Sequence, residues 1–171
     1  MNFKNNNLKN KFFNDQKKIL IANHTTPFLD GLWLHYILEK SHISHFFYMA
    51  YCFNYNNSWI RAVKTPNFIY NESNYLNSLK HFCAVLFPSG GTISWKSGFY
   101  YLAKNTNTPI YIINIDYVNL KIEVLDRIQI IDEDYYYIKN KSILTLKNNI
   151  NTPFWNYFFN LFGYGDECMM N

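Results

Sequence analysis

Two residues that can do acid–base chemistry, His24 and Asp30, follow a short apolar run near the start of the chain. The run, residues 19–22, is too short for a helix and rich in β-branched residues, so it predicts a buried strand. Pro27 and the helically spaced apolar residues after it predict a helix. A carboxylate near a histidine can fix its tautomer and stabilise its protonated form, which makes the histidine a general base. Asp is also an ordinary first-turn residue, so the pair needs support from elsewhere.

A second motif, FPSGGT over residues 87–92, follows another apolar segment. Gly90 and Gly91 let the backbone approach a ligand closely, and N–H groups at the start of a following helix favour an anion. Ser94 is a suitable N-cap for a helix predicted over 95–104, which places Lys96 in the first turn. An ordinary glycine turn is the alternative. A Walker loop is excluded because the Gly-Lys-Ser/Thr ending is absent.

The segments around these motifs alternate between strands and helices. Apolar runs predict strands over residues 19–22, 46–53, 67–70, 81–87, 109–117 and 121–130. Helical patterns cover the segment after Pro27 and residues 72–80, 95–104 and 132–150, and a short helix around Trp59 is one interpretation of residues 54–64. Together these patterns predict an α/β fold, with a mostly parallel central sheet flanked by helices, in a single domain over residues 1–171.

The two ends of the chain differ from this pattern. Residues 1–15 are polar and basic, and we expect a polar, disordered leader, with a basic interfacial helix as the alternative. Residues 153–164, PFWNYFFNLFGY, form an aromatic terminal segment. Trp and Tyr favour the water–lipid boundary, so this segment is either a helix packed in the core or an anchor at a membrane surface.

Composition narrows the classes of function. The 171 residues are 49% hydrophobic and 20% aromatic, with a net charge of +4. This charge suits an anionic ligand or membrane surface, and it is too scattered to predict nucleic-acid binding. Three widely spaced cysteines indicate neither a disulfide framework nor a metal site. We expect no signal peptide and no transmembrane helix, so any contact with a membrane would be peripheral, on its cytoplasmic side.

Taken in order, the motifs resemble those of the glycerolipid acyltransferases of the lysophosphatidic acid acyltransferase (PlsC-like) type. The matching stretches are Asn23-His24 with Asp30, the FPSGGT motif, WKSGFY over residues 95–100, Pro109-Ile110 and Asp116-Tyr117. The resemblance covers residues 19–127 and implies a glycerolipid acyltransferase-like fold.

The resemblance also implies an activity. The enzyme would transfer a fatty acyl group from acyl-CoA, or from acyl carrier protein, to the hydroxyl of a lysophospholipid such as 1-acyl-glycerol-3-phosphate. By position, His24 is the base and Asp30 orients it. The residues that line the acceptor pocket are Ser89, Gly90, Gly91 and Thr92, with Lys96 beside them. No metal and no bound cofactor is implied.

The chain departs from the family pattern at three points. Five residues separate His24 from Asp30 where the family has four, and Ser89 replaces a glutamate, with two glycines in place of one. The arginine expected near residues 68–70 is absent, and Arg61 is among the nearest cations. A non-catalytic member that binds lipid or a partner protein therefore stays open as an alternative, and a thioester hydrolase is a third.

Overall fold

The protein forms an α/β domain, seen here in a computed structural model that describes residues 1–23, 29–40, 46–50, 60–62, 67–88, 95–116 and 119–147. Its strands are β1 (Asn2–Phe3), β2 (Lys17–Ala22), β3 (Phe46–Ala50), β4 (Ile60–Ala62), β5 (Phe82–Leu86), β6 (Ile110–Asp116) and β7 (Lys121–Ile128). Its helices are α1 (Asn6–Asn14), α2 (Leu29–Lys40), α3 (Phe68–Ser78), α4 (Gly98–Thr106) and α5 (Tyr135–Lys147).

The strands form one sheet in the order β1-β7-β6-β2-β5-β3-β4. Neighbouring strands are parallel except β6 and β7, which form an antiparallel pair. Strand β2 lies at the centre, between β6 and β5, and the connection through α4 carries the chain from one side of β2 to the other. The predicted α/β class with a mostly parallel sheet is confirmed.

Helices cover both faces of the sheet. Ile19 and Ile21 of β2 pack into a cluster with buried residues of α3, α4 and α5, whereas Leu20 and Ala22 pack with buried residues of α1 and α2. Successive side chains of a strand point to opposite faces, so a strand buried on both sides must be apolar at nearly every position. This requirement explains the continuous apolar run over residues 19–22.

The N-terminal segment is part of the fold, so the prediction of a disordered leader over residues 1–15 was wrong. Asn5 caps α1 by accepting a hydrogen bond from the Leu8 backbone N–H at 2.8 Å. Leu8 and Phe12, four residues apart, lie on the buried face of α1. The rings of Phe12 and Tyr111 make an edge-to-face contact, with their centres 5.0 Å apart. Two apolar residues at this spacing attach the helix to the sheet, while its third apolar residue, Phe13, is largely exposed.

A buried lysine completes the attachment of α1. Lys18 of β2 lies beneath the helix, where its Nζ donates a hydrogen bond to the Phe12 carbonyl oxygen at 2.5 Å and lies 4.7 Å from the centre of the Phe12 ring. Burial lowers the pKa of Lys18, and the nearby Cys83 and Asp15 oppose that shift. The charge is tolerated because a helix C-terminus and an aromatic face both attract a cation.

Two other segments differ from their predictions. Residues 67–70 were predicted as a strand and 72–80 as a separate helix, but α3 runs without a break from Phe68 to Ser78. Phe68 and Leu76 are buried eight residues apart, on one face of that helix, so packing overrides the β-propensity of the aromatic residues. The short helix suggested around Trp59 is also not found where the chain is described, because β4 occupies residues 60–62.

The packing of α1 predicts a sharp difference between two neighbouring phenylalanines. Phe12 is fully buried, whereas Phe13 is 48% exposed. Phe12→Ala should lower the free energy of unfolding by about 3–5 kcal/mol, because it leaves a cavity between α1 and the sheet. Phe13→Ala is the matched control and should cost much less. Urea denaturation measures both, and equal effects would contradict the packing described.

Candidate functional site

The two sequence motifs leave the sheet side by side. Strands β2 and β5 are adjacent and parallel, and Ile21 of β2 pairs with Leu86 of β5. Continuing this register places Asn23 level with Pro88, so the segments that follow them begin at the same edge of the sheet, one strand spacing apart. In open α/β sheets, ligands bind at this carboxyl edge of the strands. His24, Ser89, Gly90, Gly91 and Thr92 themselves lie outside the described residues.

Asn23, the residue before His24, is fixed by two hydrogen bonds to the backbone of β6. Its Nδ2 donates to the Ile115 carbonyl oxygen at 3.2 Å, and its Oδ1 accepts from the Ile115 N–H at 2.8 Å. The β2–β6 ladder has its last backbone pair at Ala22 and Ile113. The Asn23 side chain therefore replaces the next backbone pair and holds the end of β2 in place just before the candidate base.

Asp30 is buried at the start of α2, on the face that packs against the sheet. Asp30, Leu34 and Leu38 have 0% relative exposure and recur every four residues, which is the spacing of one helix face. The N-terminus of a helix stabilises a negative charge, and a carboxylate without hydrogen bonds would be costly at this depth. Asp30 thus faces the sheet from the first turn of α2, and its pairing with His24 stays a prediction.

The residues that flank the glycine motif are held together. The Lys96 backbone N–H donates to the Pro88 carbonyl oxygen at 2.9 Å. On the far side, the Tyr135 hydroxyl donates to the Trp95 carbonyl oxygen at 2.8 Å, and the Trp95 ring contacts the buried Phe99. The residues on the two sides of segment 89–94 are therefore held next to each other.

Lys96 lies before the following helix, so its predicted place in the first turn was wrong. Helix α4 begins at Gly98, and the Ser97 carbonyl is its first acceptor, bonded by Tyr100 N–H at 3.0 Å and Tyr101 N–H at 3.3 Å. The Trp95 carbonyl, which would be a backbone acceptor in a helix from residue 95, accepts the Tyr135 hydroxyl at 2.8 Å. The Lys96 side chain is exposed.

Asp116, another residue of the resemblance, has a structural role at the same edge. It ends β6, and its carboxylate accepts hydrogen bonds from the Asn119 backbone N–H at 3.0 Å and from Asn119 Nδ2 at 2.8 Å. Lys121 Nζ lies 3.9 Å from the same carboxylate. These contacts hold the residues that follow β6. They lie next to the two hydrogen bonds between Asn23 and Ile115, which we call the Asn23 clamp.

Two of these contacts, that of Asn23 with Ile115 and that of Tyr135 with Trp95, were not predicted from sequence. An asparagine directly after an apolar strand was the available signal for the Asn23 clamp, because asparagine can imitate a backbone pair. The bond between Tyr135 and Trp95 joins residues 40 positions apart and had no local signal.

Comparison with known proteins adds no relative. No protein-family model, no curated protein and no solved structure matches the chain. The resemblance to the acyltransferases therefore depends on the motif residues of the sequence alone.

The Asn23 clamp can be tested by its effect on stability. In Asn23→Ala the Ile115 N–H and carbonyl lose their partners beside a buried strand, so the free energy of unfolding should fall by about 1–3 kcal/mol. Hydrogen exchange at the Ile115 amide should also accelerate. Asn10→Ala, at an exposed position of α1, is the control and should be neutral or slightly stabilising. An unchanged Ile115 exchange rate in Asn23→Ala would contradict the clamp.

Proposed function

We propose that the protein is an O-acyltransferase that moves a fatty acyl group from acyl-CoA, or from acyl carrier protein, to the hydroxyl of a lysophospholipid such as 1-acyl-glycerol-3-phosphate. One observation carries the proposal: β2 and β5, the strands that precede the His24 and glycine motifs, are adjacent and parallel, and Asp30 is buried in the first turn of the next helix, α2. A base, its orienting carboxylate and an anion-binding loop are the parts that such a transfer requires.

In the proposed reaction, His24 takes the proton of the acceptor hydroxyl as the hydroxyl oxygen attacks the thioester carbonyl carbon. Asp30 stabilises the imidazolium and fixes the ring, a role that a buried, immobile carboxylate fulfils well. The carbon–sulfur bond then breaks, the acyl ester remains on the acceptor, and the departing thiolate takes the proton from His24. The chain needs no acyl-enzyme intermediate for these steps.

The acceptor's phosphate is assigned to the glycine motif in this proposal. Backbone N–H groups of Gly90, Gly91 and Thr92 can bind an anion before a helix, and the Lys96 ammonium adds a point charge. The bond from Lys96 N–H to the Pro88 carbonyl keeps this lysine next to the loop. The lost glutamate and arginine of the family pattern lead us to expect weaker and less selective phosphate binding.

The proposal includes a glycerolipid acyltransferase-like fold and peripheral contact with the cytoplasmic side of a membrane. The aromatic segment 153–164, proposed as the anchor, lies outside the described residues. Of the helices in the described ranges, none has the length and apolar content needed to cross a bilayer.

A non-catalytic lipid- or partner-binding protein is the second candidate. Two features of the sequence favour it: the extra residue between His24 and Asp30, and Ser89 in the place of a glutamate. Release of free CoA in the presence of acyl-CoA and a lysolipid panel separates the two candidates, because only the enzyme turns over. Free fatty acid without an acylated lipid would indicate the thioester hydrolase.

Substitution of the catalytic pair tests the mechanism. His24→Ala should lower the transfer rate by about 10²–10⁴-fold, the usual range for loss of a general base. Asp30→Asn should also be severe, and circular dichroism must confirm that this buried substitution still folds. His81→Ala, an exposed histidine before β5, is the matched control and should retain the rate. Full activity in His24→Ala would exclude the proposed mechanism.

Substitution of Lys96 tests the acceptor site. Lys96→Ala should raise the KM for a phosphate-bearing acceptor more than it lowers kcat, because it removes binding common to the ground and transition states. Activity on a neutral monoacylglycerol should change little. Lys80→Ala, exposed and remote from the glycine motif, is the control. A wild-type KM for the phosphate-bearing acceptor in Lys96→Ala would contradict the assigned phosphate site.

A further inference from the structure

A separate cavity of about 310 Å³ lies at the outer side of β7, between the start of α1 and α5. Strand β1 pairs with β7 at Glu123 and Val124, after which the chain turns at Asn5 into α1. The following residues of β7, 125–127, line this cavity between the two helices. Its lining includes three basic side chains, those of Lys4, Lys11 and Arg127.

The positive charge of this α1–β7 cavity is only partly neutralised. Lys4 and Lys11 are exposed, and neither forms an ion pair with another residue in the described part of the chain. The lining has one acidic residue, Asp126. Its carboxylate accepts a hydrogen bond from the Arg127 backbone N–H at 2.8 Å and lies 3.9 Å from Lys141 Nζ. A net positive lining remains for an external anion.

Arg127 is held rigidly in the wall of the cavity. Its Nε donates to Asp15 at 2.8 Å, its Nη2 lies 3.4 Å from Gln129 Oε1, and its guanidinium carbon lies 6.0 Å from the centre of the Tyr111 ring. The Tyr111 hydroxyl also donates to Asp15. A planar, preorganised guanidinium loses little conformational freedom when it binds a further acceptor, which suits it to phosphate recognition.

We propose that the α1–β7 cavity binds a phosphate-type anion, supplied either by a free phosphate compound or by the headgroup of a lipid. Lys4 and Lys11 approach the anion from the side of α1, and Arg127 approaches it from the sheet. The cavity is partly open to solvent and, at about 310 Å³, it is large enough to admit a phosphate together with part of the molecule that carries it.

This site is distinct from the proposed catalytic edge. Tyr111 of β6 pairs with Leu20 of β2 on one side and with Arg127 of β7 on the other. Arg127 is therefore two strand spacings, about 10 Å, from β2. It is level with Leu20, which precedes Asn23 by three residues, or about 10 Å along the strand. The inference does not depend on acyl transfer, so each proposal can fail without the other.

Calorimetric titration of the full chain with inorganic phosphate tests the site, at constant ionic strength and with chloride as the reference anion. The second arm measures sedimentation with phosphatidylcholine vesicles that contain or lack phosphatidic acid. The variants are Lys4→Ala, Lys11→Ala and their combination, since both lysines are exposed and outside the core. Lys9→Ala, on the exposed side of α1 and away from the cavity, is the matched control.

Each lysine removed should weaken anion binding by about tenfold, as expected for the loss of a charge-assisted hydrogen bond. Dependence on Lys4 and Lys11 in the phosphate arm identifies a free phosphate compound, and dependence in the vesicle arm alone identifies a lipid headgroup. An equal loss in Lys9→Ala would show general attraction to a basic helix and overturn the proposal. Absence of binding in both arms would overturn it as well.

Discussion

Burial of β2 on both faces is the constraint on which the described structure depends. The strand pairs with β5 and β6 on its two sides, and its alternate side chains enter two separate apolar clusters. Residues 19–21 are fully buried. At about 25 cal/mol for each Å² of apolar surface removed from water, this strand contributes several kcal/mol to folding. Any shift in its register would displace both clusters together.

The same constraint positions polar groups at the end of the strand. Because β2 cannot slip, Asn23 reaches the backbone of Ile115 with both atoms of its amide. Helix α2 packs on the sheet through Leu34 and Leu38, and this packing directs the carboxylate of Asp30, one turn earlier, to the same side. The core therefore supplies the rigidity that a catalytic pair needs, since small displacements of reacting groups cost large factors in rate.

Sequence patterns predicted the elements whose buried residues form a regular pattern within a short stretch of sequence. Strands β5 and β6 lie within the strands predicted over 81–87 and 109–117, and the strand predicted over 19–22 is the apolar part of β2, which begins two residues earlier at Lys17. A helix in the first fifteen residues was only the alternative to a disordered leader, and as an interfacial helix. Helix α1 buries only Leu8 and Phe12, and their partners lie far along the chain, so its packing had no local signal. The region of α3 was misassigned because aromatic residues favour strands until tertiary packing decides otherwise.

The residues assigned to the candidate site stay a prediction, and the arrangement of the strands that precede them followed from the sequence only in part. The motifs identified His24, Asp30 and the glycine loop, and the parallel pairing of β2 and β5 places their flanking residues at one edge. Lys96 was misplaced, and the Trp95 carbonyl, which would be a backbone acceptor in the longer helix, bonds to the distant Tyr135. Contacts between residues far apart in sequence leave no periodic pattern, so they could not be derived from spacing.

The distance between a His24 ring nitrogen and an Asp30 carboxylate oxygen, measured in a crystal structure, tests the central claim most directly. The account predicts a hydrogen bond of about 2.6–3.2 Å, with the other ring nitrogen directed toward the edge of the sheet where β2 and β5 end. The extra residue between the two would then be absorbed in the turn before α2. A His24 ring that is turned away from Asp30, with no hydrogen bond or bridging water between them, would contradict the account.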